Sequence, residues 1–144
     1  MTPAELRQLL QRVGDGAVPP AEAEARLLAA LREAPVGDLG FARVDHHRAT
    51  RQGFPEVVLG LGKTPAQIAA IAAEIAGRGR PLLVTRAPEE AWHAVQAVVP
   101  EAEYHAVARA ITLRRDVVPG HGTVAVVTAG TSDVPVAEEA AVTA

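Results

Sequence analysis

The stretch "PEVVLGLGKTPAQIAAIAAEIAGRGRPLLVTRA", Pro55 to Ala87, constrains the fold more than any other part of the chain. Two apolar runs, "PEVVLGL" and "RPLLVTRA", read as strands, and the segment between them carries every mark of a helix. Thr64 can cap it, Pro65 suits its first position and Gln67 completes a capping box. Ile68, Ile71 and Ile75 then form one buried stripe, and Gly77 or Gly79 can end the helix. A further helix is expected from Pro88 to about Val99, with Ala91, Trp92, Val95 and Val99 inward. A strand near "AEYHAVARAI" follows, and an earlier one is expected at "LGFARV". Strands alternating with helices predict an α/β layer with a partly parallel sheet.

Ahead of this layer the pattern is purely helical. Leu6, Leu9, Leu10 and Val13 fall on one helical face, with Thr2 and Pro3 as a cap and first-turn pair. After "GDGAVPP", a second helix is expected to carry Ala23, Leu27, Ala30 and Leu31 on one side, with Glu22 four residues before Arg26. The two make a helical hairpin. Aromatic residues are only 3% of the 144, so the core must be packed from small side chains on close backbones. The net charge of −3 argues against nucleic-acid binding driven by the whole-molecule field. With no cysteine, the chain has no disulfide, thiolate metal site or cysteine nucleophile of its own. No apolar run approaches bilayer length and no signal segment opens the chain, so no membrane partner and a cytoplasmic location are expected.

"DVVPGHGTV" is the expected domain boundary, because Pro119, Gly120 and Gly122 punctuate it. Residues 1–118 then form an N-terminal domain, with helices over 1–35 and an α/β part over 36–118. Residues 119–144 begin another. There Val124–Ala129 reads as a parallel strand buried on both faces, a small-residue loop follows, and a helix ends the chain. One strand and one helix cannot bury themselves, so this piece is expected to be the first βα unit of a domain cut short.

Two groups of residues could carry chemistry. Gly130, Thr131, Ser132 and Asp133 sit between strand and helix, where free N–H groups and the helix dipole favour an anion. Thr131 and Ser132 add hydroxyl donors, and Asp133 can accept from ribose hydroxyls; a plain turn with an Asp cap fits the same four residues. The second group lies in "FARVDHHRATRQGFPEVVLGLGKTP", where Arg43, Arg48, Arg51 and Lys63 outweigh Asp45 and Glu56. Arg48, Arg51 and Lys63 are candidates to clamp phosphates or carboxylates, and a solvated loop is the alternative. His46 and His47 are adjacent, so they point apart, and no second ligand pair lies at helical spacing. No metal site is expected. His93, His105 and His121 are scattered, and His121 interests only through its place beside the loop at Gly130.

Both groups meet one known pattern. "DLGFARVDHHRATRQGFPEVVLGLGKTPAQI", followed by "VVTAGTSDVPVAEEAAVTA", resembles the LarB family of nickel-pincer cofactor biosynthesis, which is similar to the PurE aminoimidazole ribonucleotide carboxylases. The resemblance implies a smaller N-terminal domain followed by a PurE-like three-layer α/β domain. It also implies an enzyme, a pyridinium-3,5-biscarboxylic acid mononucleotide synthase. Such an enzyme carboxylates the pyridinium ring of nicotinic acid adenine dinucleotide with carbon dioxide or bicarbonate, and hydrolyses the phosphoanhydride to release AMP. Magnesium at the phosphates and homo-oligomers of the full-length protein belong to the same expectation. Thr131, Ser132 and Asp133 match the loop that faces phosphate and ribose, whereas Arg48, Arg51, Glu56 and Lys63 match the N-terminal motif. The family's catalytic cysteine has no counterpart and is expected beyond Ala144, so this chain alone is expected to be inactive. Aminoimidazole ribonucleotide carboxylase or mutase, and a noncatalytic nucleotide-binding module, are the rival readings.

Overall fold

The computed structural model describes residues 1, 3–32, 36–46, 48, 54–115 and 122–144. They form two compact units, Met1–Glu56 and Val57–Ala144. The fold is α/β, as the alternation of elements predicts. The expected boundary at 118/119 lies outside the described residues, as do Thr2, His47, Arg51 and His121.

In the first unit, α1 (Pro3–Gly14) and α2 (Pro20–Arg32) form the hairpin, closed by a small core of Leu9, Val18 and Ala23. Arg26 pairs with Glu22 at 2.5 Å across one helical turn, as the spacing requires. The expected apolar stripes are only partly buried. Leu10 remains 55% exposed and Leu31 74%, because each short helix meets the other along one narrow line. The strand expected at "LGFARV" is instead a hairpin. β1 (Val36–Asp38) runs antiparallel to β2 (Arg43–Asp45), with Val44 buried. Gly40 has φ +79 at the first central position of the turn, and the Leu39 N–H donates to the Ala42 carbonyl at 2.9 Å. A positive φ at this point suits glycine and lets the two strands turn back tightly.

In the second unit, β3 (Val57–Leu59), β4 (Leu82–Thr85), β5 (Glu103–His105) and β6 (Ala110–Leu113) make a sheet in the order β3–β4–β6–β5. β3 and β4 are parallel, joined through α3 (Pro65–Gly77), and the other two pairings are antiparallel. The Thr64–Gln67 capping box forms in full, and Ile68, Ile71 and Ile75 are buried as expected. α3 packs most extensively on α4 (Glu89–Val98), where Ala72 and Ala91 are wholly buried. Those small residues bring the helices close, which is how a core poor in aromatics reaches density. Trp92 is half-buried and stacks on Tyr104, with ring centroids 5.7 Å apart.

Two expectations fail here. The single strand near "AEYHAVARAI" is two strands, β5 and β6, because residues 106–109 turn back, with Arg109 at φ +50. The turn "AVAR" contains no Gly, Pro, Asn or Asp, so nothing in its composition announces it. Residues 124–129 do not form the expected strand: no strand among the described residues pairs with them, and Val124 and Val127 are 71% and 90% exposed. An apolar run becomes a buried strand only where other strands receive it. The helix expected after the loop does form, as α5 (Val134–Thr143), with no buried residue.

Candidate functional site

The loop at Gly130 leads into a helix, without the expected strand before it. Gly130 precedes a single 3₁₀ turn, Thr131–Asp133, which leads directly into α5. The Asp133 N–H donates to the Gly130 carbonyl at 3.1 Å, which fixes the turn through backbone alone. The Asp133 carboxylate makes no capping bond to α5, so the plain-cap reading has no support in this geometry. Thr131, Ser132 and Asp133 are exposed, and their side chains have no partner among the described residues. Two hydroxyls, one carboxylate and the first N–H groups of a helix therefore gather at one point.

Lys63 lies in the loop between β3 and α3, and its Nζ donates to the Leu59 carbonyl at 2.8 Å. That bond folds the side chain back over the end of β3. Gly60, in the same loop, approaches β4 closely: its N–H donates to the Thr85 carbonyl at 2.7 Å. Arg86 and Arg109 stand at this edge of the sheet with φ 54 and 50, and the Ala87 N–H bonds the Arg109 carbonyl at 2.7 Å. Arg86 pairs with Glu139 of α5 at 2.6 Å. Sequence reading missed this pair, since its members are 53 residues apart and no local pattern links them.

Arg48 belongs to the other unit, with Glu56. Its Nε stands 3.9 Å from Glu56 Oε2, too far for a hydrogen bond. Both atoms are buried and neither has a hydrogen-bond partner. Burial pushes the Glu56 carboxyl above its ordinary range; Arg48 opposes this and Asp45 adds to it. Arg48 and Glu56, named together by the sequence motif, are thus neighbours in space. Arg51 lies outside the described residues.

Among the described residues, no group of three or more His, Asp or Glu could hold a metal ion. No helix is long and apolar enough to cross a membrane. His93 is exposed beside Glu89, and His105 shares a 2.9 Å hydrogen bond with the Thr112 hydroxyl. Both are explained by structure.

The profile of the LarB/PurE-like N-terminal domain matches residues 36–115, more than half of the chain. The chain belongs to this family. The LarB/PurE-like N-terminal domain runs from β1 to just past β6 and so spans the division at Glu56. It contains Arg48, Glu56 and Lys63, while α1, α2 and the loop at Gly130 lie outside it. Membership gives the chain a role in the LarB/PurE family, an enzymatic family. No curated protein matches the chain.

Proposed function

We propose that this LarB/PurE-like chain serves nickel-pincer nucleotide cofactor biosynthesis by binding nicotinic acid adenine dinucleotide. In the proposed reaction the pyridinium ring is carboxylated by carbon dioxide or bicarbonate, and the phosphoanhydride is hydrolysed with release of AMP. The observation that carries this reading is the loop of Thr131, Ser132 and Asp133, whose hydroxyls and carboxylate are unpartnered at the start of α5 in a chain of this family. Backbone N–H groups and hydroxyls suit phosphate oxygens, and a free carboxylate suits ribose hydroxyls. The 144 residues include no cysteine, so they contribute binding groups and no thiol for covalent addition to the ring. The described residues offer no metal cage, and magnesium is proposed only as the ion accompanying the substrate's phosphates. We further propose that the protein works in the cytoplasm as a homo-oligomer.

Equilibrium binding tests the reading. The chain is expected to bind nicotinic acid adenine dinucleotide in preference to aminoimidazole ribonucleotide, and to release no AMP from it. Asp133→Asn and Ser132→Ala are expected to weaken dinucleotide binding by about ten- to a hundredfold, the scale of a charge-assisted hydrogen bond. Neither side chain serves a cap or a core, so thermal unfolding should stay within a degree or two of wild type. A preference for the ribonucleotide would instead assign the chain to purine carboxylation. Unchanged affinity in both variants would remove the loop from the site.

A further inference from the structure

α5 has no buried residue, and among the described residues a single ion pair, Glu139 with Arg86, joins its side chains to the rest of the unit. The Arg86 Nε–H donates to Glu139 Oε2 at 2.6 Å, and the Glu139 side chain is only 20% exposed. The Arg86 end of this bond is rigidly rooted. Its φ of 54 is one that residues other than glycine seldom adopt, and such a conformation persists only where the surroundings over-determine it. They do so from two sides. The Ala87 N–H donates to the Arg109 carbonyl at 2.7 Å, and the Tyr104 hydroxyl donates to the Ala87 carbonyl at 3.3 Å. On the other side, Gly60 lies so close that a Cβ there would stand 3.0 Å from the Arg86 carbonyl oxygen. The guanidinium therefore leaves the end of β4 from a fixed point.

We propose that Arg86 is a positioning residue: with Glu139 it latches α5 to the end of the sheet, and so orients the Thr131–Asp133 loop for the dinucleotide. The proposal rests on the dinucleotide reading given above. Arg86 lies within the matched domain and Glu139 beyond it, so the latch ties the LarB/PurE-like N-terminal domain to the segment that follows. Thr131–Asp133 runs into α5 without a break, so turning the helix turns the two hydroxyls and the carboxylate with it. Groups ordered before the ligand arrives lose less freedom on binding. A pair whose arginine is 48% exposed shifts a docking equilibrium by up to about fivefold, the scale of a latch that opens and closes.

The contrary role has the opposite sign. If Arg86 itself gripped the ligand's phosphates, Glu139 would compete for it, and removing the carboxylate would tighten binding.

The experiment reads docking and binding on the whole chain, with unfolding curves as a folding control. The chain has no cysteine, so nitroxide labels on Glu90→Cys in α4 and Glu138→Cys in α5, both exposed, report one distance between the two helices. Wild type is expected to give a dominant narrow distance distribution. Arg86→Gln and Glu139→Gln should each raise the ratio of undocked to docked molecules by up to about fivefold, and the double variant no further. Arg86→Glu combined with Glu139→Arg should restore the narrow distribution. Salt at 1 M, where the Debye length is about 3 Å, should move wild type toward the single variants. Affinity for nicotinic acid adenine dinucleotide should follow the same order, weaker in both single variants and regained in the exchanged pair. Distances equally narrow in wild type and both single variants would overturn the latch. Tighter binding in Glu139→Gln with weaker binding in Arg86→Gln would make Arg86 a direct ligand contact and overturn the positioning role. A wild type that binds no dinucleotide overturns the functional reading, a failure that the distances tell apart from that of the latch.

Discussion

Gly60 shows what a single residue contributes to the architecture of the site. A Cβ built there would lie 2.9 Å from the Thr85 carbonyl oxygen and 3.0 Å from that of Arg86. Both obstacles are backbone at the end of β4, which cannot swing aside as a long side chain can. The missing side chain thus sets the spacing between the β3–α3 loop, which carries Lys63, and the turn that carries Arg86. Gly60→Ala is expected to destabilise the fold by about 1–3 kcal/mol, the usual cost of overpacking a filled space. A lower midpoint of urea unfolding would show this, and an unchanged midpoint would mean that β3 and β4 separate at no cost. The substitution should also disturb the Lys63 bond to Leu59, because both ends of that bond flank Gly60.

At the scale of elements, α3 is where sequence and structure agree most fully, and the reason is local. Thr64 Oγ1 accepts from the Gln67 N–H at 3.2 Å, while Gln67 Oε1 accepts from the Thr64 N–H at 2.9 Å. Two orphan donors are satisfied by residues three apart, so the whole device can be read from neighbours. Thr64→Ala is expected to cost about 1 kcal/mol, and Thr64→Ser should restore most of it because serine caps comparably. Thermal unfolding of the two variants checks this; equal losses in both would show that the hydroxyl is not what matters. Features set by distant partners were not legible in the same way. The β5–β6 turn lacks turn residues, and the Arg86–Glu139 pair joins segments far apart in the chain. Residues 124–129 have a strand's composition and, among the described residues, no strand to pair with. The candidate site divides along the same line. The Thr131–Asp133 loop and the proximity of Arg48 to Glu56 grow from short motifs, whereas the buried, unmade bonds between the latter two emerge only once the chain is folded.

The molecule as a whole is uneven in its burial, and this decides where it should open first. β6 is buried at every position, Ile68 and Val84 are fully buried, and α3 and α4 close over them with Ala72 and Ala91. By contrast the hairpin of α1 and α2 rests on Leu9, Val18 and Ala23, and leaves Leu10, Leu28 and Leu31 exposed. α5 buries nothing. Local opening free energies follow such differences, from near zero where few apolar contacts are lost to the global value in core strands. Amide exchange is therefore expected to be slowest in Leu82–Val84 and Ile111–Leu113, where the β4–β6 ladder is also buried. Exchange should be faster in α1 and α2, and fastest in residues 122–129 and α5. Equal protection in α1–α2 and in β4–β6 would show that the two units unfold as one body, which their separate cores argue against. The exposed valines add a second readout in the same experiment. Val124 and Val127 lie in an unpaired apolar run, the kind of segment that takes up a strand from another chain. If the protein is a homo-oligomer through this run, protection at 124–129 should rise with protein concentration while that of β6 stays fixed. Concentration-independent exchange there would locate any assembly on another surface.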